Sequence, residues 1–270
     1  MIDFHTHVFP DKIAAATVAA LAKVSATPPH SNGTVEELLS LLTAAGADIA
    51  INLPVLTKPT QFESILNYAV ALNEREYGNE RIISFAGIHP ADENIEEHLY
   101  RVKAVGIKGV KIHPDYQNTF FDDESYVRIV KTAKELDLVV VTHAGLDAAY
   151  VGQPIKCTPK RVLNLLSQVG GYSKLVLAHI GGNDLSSEVL SSLAGEDIYF
   201  DTSYSLECTP RDVFEKIVEK HGASKILFGS DSPWRDIREE ADIIKSFDFG
   251  VETEEKIFSA NAKELLGIQK

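Results

Sequence analysis

Short apolar, β-branched runs recur along this chain, and segments with helical periodicity fill the gaps between them. Eight runs read as strands: residues 2–5, 48–53, 81–88, 106–113, 138–143, 174–179, 197–201 and 225–230. Leu138-Val139-Val140-Val141 is apolar at every position. A strand with one face in water would alternate, so such runs belong to parallel strands covered on both sides. The segments 34–45, 61–77, 95–105, 125–136, 185–193 and 236–247 carry apolar residues at helical spacing. Thr34 with Glu37 three residues on forms a capping box. Cys157-Thr158-Pro159 and Cys208-Thr209-Pro210 each offer a Thr N-cap followed by Pro at the first helical position. Eight strands alternating with helices over about 250 residues describe an α/β chain with the arithmetic of a (β/α)8 TIM barrel, an open doubly wound sheet being the rival. No linker or charge block interrupts 1–270, so one domain is expected.

Composition narrows the partners. Twenty-six Lys and Arg against 39 Asp and Glu leave a net charge of −13, which disfavours general binding to nucleic acid or an anionic membrane. The Ala-rich stretch 13–22 reads as a surface helix, because the residues before it lack the basic run of a secretion signal. No apolar run reaches the roughly 20 residues that span a bilayer. Cys157 and Cys208 cannot build a disulfide framework, and a reducing cytoplasm is expected. A small-molecule substrate is therefore the expected partner, with a homodimer left open.

The chemistry gathers where strands end. The first closes in His5-Thr6-His7, the third in His89-Pro90, the fourth in His113-Pro114, the fifth in His143, the sixth in His179 and the eighth in Ser230-Asp231. In a barrel these ends share the face on which active sites are built. His5 and His7, two apart on an extended chain, point to the same side. Their nitrogens can bind one cation at about 2.0–2.1 Å. Val139 and Val141 lie below His143 on its face, as Leu227 and Gly229 lie below Asp231. His5, His7, His143 and Asp231 make a set of three nitrogens and one oxygen, suited to one Zn²⁺, or to Mn²⁺ or Fe²⁺ with more water ligands. The competing explanation is histidines buried and hydrogen-bonded for the fold alone.

This ordered set resembles the amidohydrolase superfamily. The segments Gly109-Val110-Lys111-Ile112-His113-Pro114, Leu177-Ala178-His179-Ile180-Gly181-Gly182 and Phe228-Gly229-Ser230-Asp231-Ser232-Pro233 resemble its amidohydrolase-2 branch, as does the tail 257–267. That branch contains aminocarboxymuconate-semialdehyde and resorcylate-type decarboxylases and many hydrolases. The resemblance implies that His5, His7, His143 and Asp231 hold a divalent ion that acidifies a water. It implies that Asp231 accepts the proton and that His179 acts in catalysis, or binds a second ion in two-metal members. Relatives with two ions carry a carbamylated Lys on the fourth strand. Lys111 is read instead as a partner of Asp3 or another interior carboxylate, since His113 occupies the strand end.

His89, His113, Tyr116 and Arg235 are expected around the substrate, with Gln117 a further candidate. Arg235 is weighed as a carboxylate clamp or as a partner of Glu239. Asp201-Thr202-Ser203 is expected to orient its neighbours, Asn261 to cap the terminal helix, and segments 25–33 and 144–158 to serve as lids. The function expected is metal-dependent hydrolysis of a small amide, lactone or ester. A non-oxidative decarboxylase is the alternative, and a phosphoesterase or deoxyribonuclease comes third.

Overall fold

The computed structural model describes residues 1–75 and 80–268. Its strand segments are β1 (Ile2–Thr6), β2 (Ile49–Asn52), β3 (Ile82–Ser84), β4 (Ala86–Gly87), β5 (Gly109–Ile112), β6 (Val139–Thr142), β7 (Leu175–Leu177), β8 (Tyr199–Asp201) and β9 (Ile226–Leu227). Every neighbouring pair is parallel. β3 and β4 are the two halves of the third expected strand. They flank Phe85, whose N–H donates to the Asn52 carbonyl at 2.9 Å. β3 pairs with β2 and β4 with β5. The chain after β9 meets β1: Phe4 N–H donates to Phe228 O, and Asp231 N–H to His5 O, both at 2.8 Å. These bonds close the ring of strands, and the open-sheet alternative falls.

The helices are α1 (Asp11–Ser25), α2 (Val35–Ala45), α3 (Phe62–Asn73), α4 (Ile95–Ala104), α5 (Glu124–Glu135), α6 (Pro159–Val169), α7 (Ser186–Ser192), α8 (Arg211–His221), α9 (Ile237–Lys245), α10 (Val251–Glu255) and α11 (Asn261–Leu266). The expected helix over 61–77 runs as far as Asn73, and residues 76 and 77 of it lie outside the described residues. Thr34 caps α2 through the Glu37 N–H, but the Glu37 carboxylate accepts from Asn32 N–H rather than closing a capping box. Thr158 caps α6 as expected. The matching device at Thr209 is not built: α8 starts one residue later, with Pro210 at the N-cap and no side-chain cap bond. Asn261 does not cap either. Its amide donates to the carbonyls of Ala223 and Ile226, each at 2.7 Å, and ties the C-terminal helix to the strand floor.

Two apolar layers follow from strand alternation. Phe4, Ile51, Leu53, Phe85, Val139, Val141, Val176 and Leu227 fill the barrel. Ala262, Leu265 and Leu266 of α11 join that cluster beside Ile2 and Tyr199 at the strand starts, closing the end away from the histidines. Val110, Ile112, Val140 and Phe200 face outward and pack with helical residues such as Leu99, Ile129, Leu165 and Phe214. Truncating one such side chain to Ala removes about 2–5 kcal/mol. Gly229 has a packing reason: a Cβ there would sit 2.8 Å from the His5 Cβ. Among the described residues no helix is long and apolar enough to cross a membrane.

Candidate active site

The strand ends open into a cavity of about 500 Å³ lined by His5, His7, Lys111, His113, Tyr116, His143, His179 and Asp231, among others. His5 and His7 project together from the end of β1. The Nδ1 of His5 meets Asp201 Oδ2 at 2.8 Å, and the Nδ1 of His7 meets the Leu53 carbonyl at 2.8 Å. Both partners are acceptors, so both rings carry their proton on Nδ1 and turn their Nε2 lone pairs to the cavity, that of His5 lying within 3.2 Å of Lys111 Nζ as well. Asp231 Oδ1 lies 3.1 Å from His7 Nε2 and 3.5 Å from His5 Nε2. Lone pairs that face each other at this distance need a proton or a cation between them. One donor atom from each of His5, His7 and Asp231 lies within 4.8 Å of the others. Two imidazoles and a carboxylate on one side of an ion leave open positions for water and substrate. The residues therefore fit a divalent metal.

His143 is set apart from these three. Its ring joins a second group with His113 and Asp147. His113 and His143 stack at 4.3 Å with an interplanar angle of 12°. An ion in the plane of one of these rings would be far out of the plane of the other, so this group does not make a metal site as it stands. His143 is instead joined to His179. The His179 Nδ1 lies 2.9 Å from the Ser203 carbonyl, and its Nε2 lies 3.0 Å from His143 Nδ1. The carbonyl places the His179 proton on Nδ1; His143 then donates from Nδ1, and its Nε2 is a buried lone pair without a hydrogen-bond partner. That atom is left as an unpaired acceptor.

Backbone strain aims these groups. His179, Ile180 and Asp231 hold φ of 60°, 56° and 70°, a left-handed geometry most unusual for β-branched Ile180. Ile180 N–H is held by the Asp201 carbonyl at 2.7 Å. The Asp201 side chain organises the same corner. Its Oδ1 accepts from His179 N–H at 3.0 Å, Ser203 N–H at 3.1 Å and the Ser203 hydroxyl at 2.6 Å. The expected orienting role of Asp201-Thr202-Ser203 thus has a geometry.

Burial sets the electrostatics. Removal from water, aided by Lys111, pulls the His5 imidazole down to about 4, against the attraction of Asp201. Burial holds His113 and His143 well below the usual range for imidazole. Burial pushes Asp201 upward, but the charges and hydrogen bond of His5 outweigh it, and the carboxyl lies below its ordinary value. Asp3, beneath the site, is pushed up to about 7 by burial although Ser230 and the His5 N–H donate to it.

Lys111 departs from its expected partner. Asp3 is bonded to Ser230, and Lys111 Nζ lies 3.2 Å from His5 Nε2, with burial drawing its ammonium down to about 8. β5 alternation sends Val110 and Ile112 outward and Lys111 inward, which places it on the site floor. Tyr116 lines the cavity, stacked on His113 at 4.1 Å. His89 is buried outside the lining, its Nδ1 accepting from Ala91 N–H. Gln117 is also outside it, donating to the Leu56 and Ile88 carbonyls. Arg235 neither clamps a ligand in the cavity nor meets Glu239. It pairs with Glu207 at 2.6 Å and lies over the Tyr204 ring. Cys157 is buried, and burial raises its thiol, while Cys208 is exposed. Ser25, Thr27, Leu146, Asp147 and Ala148 of the two expected lids line the cavity. Asp147, 3.4 Å from His113, also lines the cavity, as do Asn52, Asn183 and the inner face of α1. No motif marks them; only their position does.

A parallel barrel with an imidazole–carboxylate cluster at its strand ends defines a class of enzyme scaffold. The chain belongs to the amidohydrolase family, whose model matches residues 2–268. No curated protein matches it. Among solved structures it is similar to a 2,6-dihydroxybenzoate decarboxylase complexed with 2,6-dihydroxybenzoate, at TM-score 0.74 and 16% identity over 99% of each chain. It is similar to a dihydroxybenzoic acid decarboxylase from Polaromonas sp. JS666 with bound manganese and the inhibitor 2-nitroresorcinol, at TM-score 0.71 and 16% identity over 100% of this chain and 97% of that one. It is also similar to a probable 2-pyrone-4,6-dicarboxylic acid hydrolase from Acinetobacter baumannii with citric acid bound, at TM-score 0.68 and 20% identity over 99% of each. At these identities the likeness is one of fold.

Proposed function

We propose that this protein is a metal-dependent hydrolase of a small amide, lactone or ester. The observation that supports the reading is the convergence of the Nε2 lone pairs of His5 and His7 on Asp231 Oδ1, an arrangement that a divalent ion held between them would satisfy. His5, His7 and Asp231 would hold the ion, with Zn²⁺ first and Mn²⁺ or Fe²⁺ as alternatives. When bound, it supplies Lewis acidity, polarising a carbonyl and making water a better nucleophile near neutral pH. Asp231 is placed to take the proton of the attacking water. The proton taken by Asp231 is the one available to the leaving group, while His143, its Nδ1–H held by His179, keeps an Nε2 lone pair that can accept from the substrate. Burial keeps the His143 imidazole neutral and able to accept.

The second reading is decarboxylation of an aromatic or unsaturated acid; the named structures include both decarboxylases and a hydrolase and do not choose between the two. The observation on its side is Lys111, a buried cation on the floor that can receive one carboxylate. Against it, no Arg lines the cavity among the described residues. The test is a panel of small lactones, esters, amides and unsaturated acids, read by oxygen-18 uptake and by CO₂ release. Incorporation of one water oxygen into product supports hydrolysis. CO₂ release with no turnover of any ester, lactone or amide refutes it.

A further inference from the structure

The cavity is unevenly furnished. Its floor holds the histidines, Lys111 and Asp231. Beyond the strand ends the wall is built by Phe9, Ile13 and Leu21 in and beside α1, Ile65 of α3, Leu146 after β6 and Trp234 after β9. The polar groups among them are uncharged, such as Thr17, Gln61 and Thr27. Among the described residues the charged lining side chains apart from histidine are Lys111, Asp147 and Asp231. Lys111 is committed to the floor against His5. Asp147, in the loop that follows β6, lies beside His113. A negative group on the outer part of a substrate would meet Asp147 and no Lys or Arg.

We propose that the substrate is an amphiphile: its carbonyl head sits on the histidine floor, its other end is an uncharged aliphatic or aromatic group under α1, and it carries at most one negative charge. This deepens the hydrolase reading and relies on it only for what the head group is. A cavity of about 500 Å³ falls in the range of roughly 300–1,000 Å³ that encloses a ligand of drug-like size, so the tail is several carbons long. Apolar walls stabilise such a tail by removing it from water. Asp147, beyond the end of β6 and with no Lys or Arg beside it in the lining, works against a second carboxylate by repulsion, which is how a site rejects a competitor it cannot pair.

The test uses full-length protein carrying its metal and two sets of probes: alkyl hydroxamic acids from acetyl to octanoyl, and the same chains ending in a carboxylate. Binding is measured by calorimetry. The expected result is about fourfold tighter binding for each methylene that enters the cavity. At equal length the carboxylate-ended chain binds at least tenfold more weakly. Ile13 is half-exposed, so Ile13→Glu leaves the core intact; it is expected to weaken the octanoyl probe at least tenfold more than acetohydroxamate. Affinity independent of chain length, tighter binding of the carboxylate-ended probes, or no binding by either set overturns the proposal. Hydroxamates are inhibitors rather than substrates, so the outcome is separate from the oxygen-18 test. Protein that follows the chain-length rule yet incorporates no water oxygen keeps the amphiphile and loses hydrolysis.

Discussion

Asp201→Asn changes one atom in a way the geometry makes decisive. The three donors on Asp201 Oδ1, namely His179 N–H, Ser203 N–H and the Ser203 hydroxyl, are satisfied equally well by an amide oxygen. That orientation is therefore retained, and the new NH₂ takes the place of Oδ2, 2.8 Å from His5 Nδ1. An NH₂ group only donates, so His5 must offer a lone pair at Nδ1 and carry its proton on Nε2. Nε2 is the atom facing His7 and Asp231, and once protonated it cannot ligate. Loss of the group that orients a metal-binding histidine costs roughly 10–100-fold in metal affinity, equivalent to about 1.4–2.7 kcal/mol. Competition against a graded chelator measures this, and ¹⁵N NMR of the His5 ring reports which nitrogen bears the proton. Thermal unfolding of the metal-free protein checks that the fold persists. Affinity within threefold of the parent, with the His5 proton still on Nδ1, would refute the argument.

Three further outcomes follow from the same structure. His5→Ala is expected to lose most of the about one divalent ion per chain that the parent retains through purification, measured by elemental analysis; equal content in both would remove the proposed site. His179→Ala is expected to keep that ion and lose about 10²-fold or more in turnover, since its loss strands His143 Nδ1; half the metal leaving a two-ion enzyme would instead make His179 a ligand. His221 lies far from the cavity, stacked on Phe200, its Nδ1 accepting from Gly195 N–H and its Nε2 donating to Ile198 O. Burial lowers it from 6.5 to about 4, so the unfolded chain binds its proton first. Its contribution is complete above pH 6.5 and falls as pH drops towards 4. The gap of about 2.5 units amounts to about 3 kcal/mol at about 1.4 kcal/mol per unit. Denaturant titrations at several pH values are expected to show a shallower acid slope for His221→Gln, and an unchanged slope would contradict this.

Much of the fold and part of the site are legible in the sequence, because both rest on local periodicity. A run such as Val139–Thr142 can be read as a doubly covered strand from its neighbours alone, and so can the outward Val110 and inward Lys111 of β5. The gathering of His5, His7, His113, His143, His179 and Asp231 on one face follows from their places at strand ends. Which of them touch does not. Closure depends on Phe4 meeting Phe228 from opposite ends of the chain, and the curvature of that ring decides the rest. It brings Asp231 to the two β1 histidines while leaving His143 stacked on His113. It turns Lys111 towards His5 and away from Asp3, and gives Arg235 to Glu207. The left-handed backbone at His179, Ile180 and Asp231 is held by long-range hydrogen bonds such as Ile180 N–H to Asp201 O. Side-chain partners separated by tens to hundreds of residues are chosen by ångström distances across the barrel, and periodicity carries no information about those distances.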